Sequence, residues 1–192
     1  MIRAAFFDRD GVINHDTGYV HRIEGFGFLP GAIDAMRWLG QAGYALIIVT
    51  NQSGIARGIF GEADYAVLTT HMLAELARAG VDVLGVYYCP HLPDAEVPEY
   101  RQACDCRKPG PGLIRRAAAE HGIDPAASIL IGDKPSDIAA GQAAGVGRCF
   151  LVGSARDADA DARYPDLASC VAALLGGADP AARELGLSHT VR

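Results

Sequence analysis

Short apolar runs alternate with helical patterns along most of this chain. The apolar runs predict strands at residues 2–7, 44–50, 84–89, 128–132 and 147–152. Several are apolar almost throughout, which is typical of parallel strands covered on both faces. Helices are predicted at 32–41, 62–79, 111–121, 136–144 and 166–175, and in the second of these Tyr65, Leu68, Met72 and Leu76 form one apolar stripe. The alternation predicts an α/β fold with a doubly wound, Rossmann-like and mostly parallel sheet.

Two long connections interrupt the alternation. Segment 15–30 follows the first predicted strand, and segment 90–109 follows the third. Long connections after the carboxyl ends of such strands are where binding sites are built. Segment 155–163 alternates Ala with Asp and Arg and is expected to be a solvated loop. We therefore expect one domain over residues 1–175 and a loosely held tail over 176–192.

Composition narrows the class of protein. Half of the 192 residues are hydrophobic and 21% are charged, so the chain can bury a core and is not disordered throughout. The net charge of −6 argues against a partner such as DNA or RNA. The first apolar run ends at Asp8, too short for a signal peptide, and no run approaches the ~20 residues that span a bilayer. We expect a cytoplasmic protein that does not bind membranes.

Two carboxylates follow the first predicted strand. Asp8 and Asp10 flank Arg9 directly after Phe6-Phe7, and residues two apart in an extended chain point the same way. Two carboxylates this close repel each other unless a cation or a shared proton lies between them. Their oxygens suit Mg²⁺, which often engages a substrate phosphate. One carboxylate could then attack phosphorus while the other serves as general acid and base. A polar turn that ends a strand is the alternative interpretation.

Three further polar segments change the balance between these interpretations. They are Thr50-Asn51-Gln52-Ser53-Gly54 after the second strand, Arg107-Lys108-Pro109 before a helix, and Gly132-Asp133-Lys134-Pro135-Ser136-Asp137 after the fourth strand. In this order, each at a strand end or helix start, the four segments resemble the four motifs of the haloacid dehalogenase superfamily of phosphotransferases.

A closer resemblance extends from Phe6 to about Val152. Segments 8–14, 49–58, 104–109 and 132–134 are similar to those of the D-glycero-D-manno-heptose 1,7-bisphosphate 7-phosphatase family, a capless branch of the superfamily. Close relatives of that family include the histidinol-phosphate phosphatases, which share much of the pattern. The resemblance implies a capless haloacid dehalogenase fold with a zinc-binding loop.

The resemblance also implies a role for individual residues. Asp8 would be the nucleophile and Asp10 the general acid and base, while Thr50 and Lys108 would hold the transferring phosphoryl group. Asp8, Asp133 and the backbone carbonyl of Asp10 would surround Mg²⁺. The residues implied to contact substrate are Asp16, Thr17, Gly18, Tyr19, Thr50, Asn51, Gln52, Ser53, Arg107, Lys108 and Lys134.

Cysteine and histidine are concentrated in the second long connection. Cys89 and His91 form one pair, and Cys104 and Cys106 form another. A one-residue gap places both members of each pair on the same side of an extended chain. Four such ligands fill a tetrahedral Zn²⁺ site and leave no open position, which predicts a structural metal over loop 89–106. Buried free cysteines beside a surface histidine are the alternative. The heptose bisphosphate phosphatase family has a similar zinc loop.

We expect a monomeric, Mg²⁺-dependent phosphatase whose only partner is a small sugar phosphate. The resemblance implies that it removes the 7-phosphate of D-glycero-D-manno-heptose 1,7-bisphosphate through an aspartyl-phosphate, in the supply of activated heptose for the lipopolysaccharide core. Hydrolysis of histidinol phosphate is the enzymatic alternative. A zinc-stabilised binding module without catalysis is the alternative from another class, and the presence of Asp8, Asp10, Lys108 and Asp133 argues against it.

Overall fold

A computed structural model describes residues 1–156 and 158–176. The strands are β1 (Ala4–Phe7), β2 (Ala45–Asn51), β3 (Val83–Cys89), β4 (Ile129–Gly132), β5 (Arg148–Val152) and β6 (Ala162–Tyr164). The helices are α1 (Ala32–Gln41), α2 (Ser53–Ala56), α3 (Glu62–Arg78), α4 (Gly112–His121), α5 (Pro135–Ala144) and α6 (Leu167–Leu174). In these residues no helix is long and apolar enough to cross a membrane. The predicted tail beyond Gly176 lies outside the described residues.

All five predicted strands and all five predicted helices are confirmed, with ends that differ by a few residues at most. The prediction of a loop over 155–163 is wrong at its carboxyl end, because Ala162–Tyr164 forms β6 and pairs with Phe150–Val152. Asp161 supports this pairing, since its carboxylate accepts a bond of 2.6 Å from the Cys149 amide. A three-residue strand beside an Ala- and Asp-rich stretch lacks the β-branched pattern from which a strand is predicted.

The sheet has the order β3-β2-β1-β4-β5-β6, and every pair of neighbours is parallel. The chain starts in the middle of the sheet, winds outward through β2 and β3, and then returns to the other side of β1. The order therefore reverses beside β1, and in open α/β sheets ligands bind at the carboxyl ends of the strands at such a point. The predicted doubly wound fold is confirmed.

Alternation along each strand divides the core between the two faces of the sheet. Phe7, Ile48 and Ile131 belong to one cluster, together with buried side chains of α1, α3 and α6. Phe6 and Val49 belong to the other cluster, together with buried side chains of α4 and α5. Because both faces are covered, the central strands are buried throughout, and this explains why their sequences are almost wholly apolar.

The start of α5 lies very close to the end of β4. Pro135 occupies the first turn of α5, and the Asp137 carboxylate accepts a bond of 2.9 Å from the Lys134 amide. A Cβ atom at Gly132 would lie 2.3 Å from the Cβ of Asp137, so only glycine permits this approach. The short connection thus directs a buried aspartate toward the carboxyl edge of the sheet.

Candidate active site

The ammonium group of Lys108 joins two carboxylates at the carboxyl edge of the sheet. Its Nζ lies 2.9 Å from Asp8 Oδ1 and 2.6 Å from Asp137 Oδ1, and it donates a bond of 2.8 Å to the Val49 carbonyl. The three charged side chains are all at least nine-tenths buried. Burial opposes the charge on Lys108, but the carboxylates of Asp8 and Asp137 outweigh that effect and raise its pKa. Lys108 therefore stays protonated at neutral pH and provides the site with a buried positive charge.

Asp133 adds a third carboxylate that this lysine does not neutralise. Carboxylate oxygens of Asp8, Asp133 and Asp137 all lie within 4.8 Å of one another. Burial and, next, the charge of Asp8 raise the pKa of Asp133 to about 7. Burial also raises the pKa of Asp137, against the effect of Lys108. Three carboxylates around one ammonium leave an excess of negative charge that a divalent cation would offset.

Two observations fit a hard metal ion beside Asp133. Its Oδ1 is buried and finds no hydrogen-bond partner among the described residues. Gly11 has a φ of +87°, and a Cβ atom there would lie 2.3 Å from Asp133 Oδ2. The backbone of the turn after β1 therefore lies in contact with this carboxylate. Asp8 and Asp133 could hold Mg²⁺ here.

Asp10 does not point into this carboxylate cluster. Strand β1 ends at Phe7, and Asp10 lies in the turn that follows, where it bridges to Asn14. Its Oδ1 accepts bonds from Arg9 Nε (3.2 Å) and Asn14 Nδ2 (2.9 Å). Its Oδ2 accepts bonds from Arg9 Nη2 (2.9 Å) and Gln52 Nε2 (3.0 Å). The expectation that strand alternation aligns Asp8 with Asp10 fails because the strand has already ended.

The segment after β2 supports the site from its other side. Thr50 is buried, and its Oγ1 accepts a bond of 2.9 Å from Gln52 Nε2. The Asn51 amide bonds the backbone of Lys108 twice, donating to its carbonyl (3.1 Å) and accepting from its N–H (3.0 Å). The Lys108–Pro109 peptide bond is cis. Asn51 therefore fixes the backbone from which Lys108 extends.

A cavity of about 200 Å³ opens above these side chains, and we call it the mouth. Its lining consists of Asp10, Asp16, Gly18, Tyr19, Asn51, Gln52, Ser53, Gly54 and Lys134. Lys134 Nζ lies 3.3 Å from Asp16 Oδ2, so an ion pair crosses this opening. Tyr19 has a φ of +51°, a left-handed conformation that non-glycine residues seldom adopt. Its side chain, 44% exposed, stands at the rim.

Most of the predicted substrate contacts line the mouth, and four do not. Thr50 and Lys108 lie beneath it as buried groups, and Thr17 is an exposed residue of the neighbouring loop. Arg107 is half-buried and donates a bond of 3.4 Å to the His91 carbonyl, which ties it to loop 89–106. Gly54 lines the mouth although the sequence analysis did not select it.

The four predicted zinc ligands come together. The Sγ atom of Cys106 lies 3.1 Å from that of Cys89, 3.2 Å from that of Cys104 and 3.3 Å from His91 Nδ1. Burial raises the pKa of Cys89 and of Cys106, so these thiols stay protonated at neutral pH unless a cation displaces the protons. Three sulfurs and one imidazole nitrogen in contact could hold a soft metal ion.

The structure adds residues to the site that the sequence analysis did not select. Asp137 is one, because its carboxylate pairs with the ammonium group of Lys108. Arg9 and Asn14 are the others, because both bond Asp10. The position of Arg9 in the sequence, between the two site carboxylates Asp8 and Asp10, was the one feature that could have indicated a role for it. Nothing in the sequence indicated where its side chain goes.

Comparison with known proteins places this geometry in a class. Residues 105–176 match the HAD-hydrolase-like family model. A crystal structure titled D,D-heptose 1,7-bisphosphate phosphatase from B. bronchiseptica, complexed with magnesium and phosphate, superposes with a TM-score of 0.79. The two chains are 32% identical, and the match covers 92% of this chain and 100% of the other. The fold and the site define a hydrolase of the haloacid dehalogenase type.

Sequence relatives narrow the class to one family. The chain is 52% identical over 161 residues to D-glycero-beta-D-manno-heptose-1,7-bisphosphate 7-phosphatase of Salmonella typhi, which covers 84% of this chain and 86% of that protein. It is 49% identical over 151 residues to the D-glycero-alpha-D-manno-heptose-1,7-bisphosphate 7-phosphatase of Photorhabdus laumondii, which covers 79% of this chain and 82% of that protein. The chain belongs to the heptose-1,7-bisphosphate 7-phosphatase family.

The raised pKa of Asp133 predicts that Mg²⁺ binding weakens as the pH falls. Since this pKa is about 7, Asp133 is ionised at pH 8 and largely protonated at pH 6, where the metal must displace a proton. We expect the apparent affinity for Mg²⁺, measured by titration calorimetry, to fall roughly tenfold between these two pH values. In Asp133→Asn the affinity should be low at both. An affinity for Mg²⁺ that does not depend on pH in the wild-type protein would contradict the prediction that Asp133 is a ligand of this ion.

Proposed function

We propose that this protein is a Mg²⁺-dependent phosphatase that removes the 7-phosphate of D-glycero-D-manno-heptose 1,7-bisphosphate. The observation that carries the proposal is the buried ion pair of Lys108 with Asp8, beside Asp133, in a chain about half identical to phosphatases of that name. Relatives named for both anomers lie at similar identity, so the proposal covers the sugar without choosing its anomer.

Asp8 is the proposed nucleophile. Lys108 and the amide of Arg9 both bond Asp8 Oδ1, so Oδ2 is the oxygen that we assign to the attack. A bond forms from this oxygen to phosphorus as the bond from phosphorus to the sugar oxygen breaks. Lys108 and Thr50 hold the phosphoryl oxygens during the transfer. Mg²⁺, held by Asp8, Asp133 and the carbonyl of Asp10, would offset the repulsion between the phosphate dianion and the Asp8 carboxylate.

Asp10 is the proposed general acid and base. It gives a proton to the sugar oxygen as that oxygen leaves. In the second half of the reaction it takes a proton from the water that attacks the aspartyl-phosphate. Inorganic phosphate then departs, and Asp8 and Asp10 return to their starting states. Asp10 lines the mouth, and this position supports the role. The sugar oxygen that leaves and the water that attacks would both reach Asp10 through the mouth.

The mouth is the proposed binding site for the sugar. Residues Asp16 to Tyr19 and Asn51 to Ser53 would contact it, and Lys134 would leave its ion pair with Asp16 to meet anionic oxygens of the substrate. Arg107, which directly follows loop 89–106 and bonds the His91 carbonyl in it, would contact the distal phosphate. The names of the relatives do not favour histidinol phosphate, and the complete catalytic set does not favour a binding module.

Zinc is the proposed occupant of the cluster formed by Cys89, His91, Cys104 and Cys106. Sulfur ligands select soft ions, and four closely packed ligands leave no position open for chemistry. Cys106 directly precedes Arg107 and Lys108, and Arg107 bonds the carbonyl of the ligand His91. The metal would thus hold the substrate loop and the catalytic lysine in one arrangement.

We place the enzyme in the cytoplasm, in the supply of ADP-heptose for the lipopolysaccharide core. A single domain over residues 1–175 with its zinc loop at 89–106 would act as a monomer, since one chain supplies every proposed catalytic side chain. The experiment that tests the function is a comparison of initial rates on heptose bisphosphate and histidinol phosphate. Faster hydrolysis of histidinol phosphate would overturn the substrate assignment.

Replacing the nucleophile should abolish activity. Asp8→Asn retains the size of the side chain and removes the attacking charge together with a metal ligand, while Lys108 keeps its bond to Asp137. We expect phosphate release at saturating Mg²⁺ to fall to background in a protein with a native circular dichroism spectrum. Asp34→Asn, which changes an exposed aspartate of α1, is the matched control and should be fully active. Substantial turnover by Asp8→Asn would disprove the mechanism.

The zinc proposal predicts about one zinc ion per chain in protein purified without chelator. Cys106→Ala should lose this metal and lower both the melting temperature and kcat, because loop 89–106 no longer fixes Lys108. Cys170→Ala, which changes a buried thiol of α6 outside the cluster, should retain the zinc. The check is elemental analysis alongside thermal unfolding. Unchanged melting and full activity in zinc-free protein would refute the proposal.

Arg107 should favour the bisphosphate over monophosphates. Loss of a charge-assisted contact costs about 1.5–3 kcal/mol, so Arg107→Ala should lower kcat/KM for heptose bisphosphate roughly 10- to 100-fold. Monophosphate hydrolysis should change less, because it has no distal phosphate. Arg116→Ala removes the same charge from the exposed face of α4 and serves as the control. An unaltered preference in Arg107→Ala would exclude this residue as the cause of selectivity.

A further inference from the structure

We propose that Arg9 is a positioning residue, which holds Asp10 in place and connects it to the loop that walls the mouth. The inference rests on the proposed role of Asp10 as general acid. Arg9 lies between the two site carboxylates in sequence, yet its side chain engages only the second. Its guanidinium approaches both oxygens of Asp10 through three contacts of 2.9 to 3.2 Å.

Burial of the Arg9 charge destabilises the fold, so packing alone does not account for an arginine at this position. Arg9 is 1% exposed, and its Nη1 finds no hydrogen-bond partner within residues 1–156 and 158–176. Arginine is almost never fully buried unless it is paired, and an unsatisfied buried donor is destabilising. An apolar side chain of similar volume would avoid that penalty. A functional use of the charge explains why it stands here.

The guanidinium is itself held from three directions. Its Nη2 donates to the Val20 carbonyl (2.9 Å) and lies 3.4 Å from Gln52 Oε1. Its Cζ lies 5.8 Å from the centre of the Tyr65 ring, within the range of a cation–π contact. Val20 is buried and belongs to the long connection after β1 that carries Asp16 and Tyr19. Arg9 thus links Asp10 to the backbone of the rim.

Position matters for a general acid, because proton transfer requires its oxygen within hydrogen-bond reach of the leaving oxygen. A displacement of about 1 Å can lower a rate on the order of 100-fold. Arg9 has three partners besides Asp10, and they restrict where the Asp10 carboxylate lies; they are Val20, Gln52 and Tyr65. The Val20 carbonyl holds Arg9, and Arg9 in turn holds the proposed acid.

The test compares leaving groups, because only a poor leaving group needs the acid. Arg9→Met, Arg9→Lys and wild-type enzyme are assayed with Mg²⁺ on heptose bisphosphate and on p-nitrophenyl phosphate, whose phenolate leaves without a proton. We expect Arg9→Met to lower kcat/KM on the sugar phosphate by about 100-fold and on the aryl phosphate less than fivefold. The comparison uses kcat/KM because this constant reports only the steps up to departure of the leaving group, whereas kcat also includes hydrolysis of the aspartyl-phosphate, in which Asp10 serves both substrates alike. Arg9→Lys keeps the positive charge but loses the paired N–H donors of the guanidinium. Its loss on the sugar phosphate should lie between that of Arg9→Met and none.

Two controls separate positioning from folding. Arg37→Met removes an arginine that likewise bonds a carboxylate, that of Asp34, and a backbone carbonyl, that of Ala79, but far from the site, and it should affect neither substrate. In an Asp10→Asn background, Arg9→Met should lower kcat/KM for the sugar phosphate no further. Equal losses on both substrates, or additive losses in the double variant, would overturn the proposal.

The test remains decisive in two further cases. If Arg9→Met does not fold, Arg9→Lys replaces it in the comparison. A larger loss on the sugar phosphate than on the aryl phosphate then supports the proposal, and equal losses overturn it. If wild-type enzyme hydrolyses histidinol phosphate rather than heptose bisphosphate, the substrate assignment fails. The role of Arg9 is then tested on histidinol phosphate, which is also an alkyl ester that needs a proton.

Discussion

The buried ammonium of Lys108 is the interaction on which the rest of the site depends. Three carboxylates within 4.8 Å of one another cannot be buried together without positive charge. Lys108 supplies one charge to Asp8 and Asp137, while burial and, next, the charge of Asp8 raise the pKa of Asp133. A divalent cation would offset this excess of negative charge.

Much of the surrounding structure serves to place this one nitrogen atom. The Asn51 amide bonds the Lys108 backbone on both sides, and the Val49 carbonyl accepts from its ammonium. The cysteine and histidine loop leads directly into it, and Gly132 allows Asp137 to approach. Elements far apart in sequence therefore converge on Lys108, and a metal in loop 89–106 would stabilise catalysis without taking part in it.

A second charged network lies beside the first and is separate from it. Arg9 and Asp10 pair with each other, with Gln52 and Asn14 as neighbours, rather than with Lys108. The proposed nucleophile and the proposed general acid thus have different cationic partners. This separation follows from the turn that begins after Phe7, which takes the Asp10 side chain out of the carboxylate cluster around Lys108.

The sequence by itself determined the class of fold and most of the site. Apolar strands alternating with amphipathic helices leave a parallel sheet as the arrangement that buries both faces, and polar residues after β1, β2 and β4 must then meet at one edge. The spacing of Cys89, His91, Cys104 and Cys106 likewise depends on local geometry, so the cluster was predictable. Local periodicity also set the helix positions, because each helix must bury one stripe.

Only the tertiary structure decided the direction of individual side chains. Asp137 reads as a first-turn helix residue in sequence, and its pairing with Lys108 depends on the close approach at Gly132. Asp8 and Asp10 were expected to point the same way by strand alternation, but hydrogen bonds from Arg9, Asn14 and Gln52 fix Asp10 after the strand has ended. Strand β6 exists because β5 offers an unpaired edge, not because its residues favour a strand. Contacts between distant segments set all three features, and no local pattern encodes such contacts.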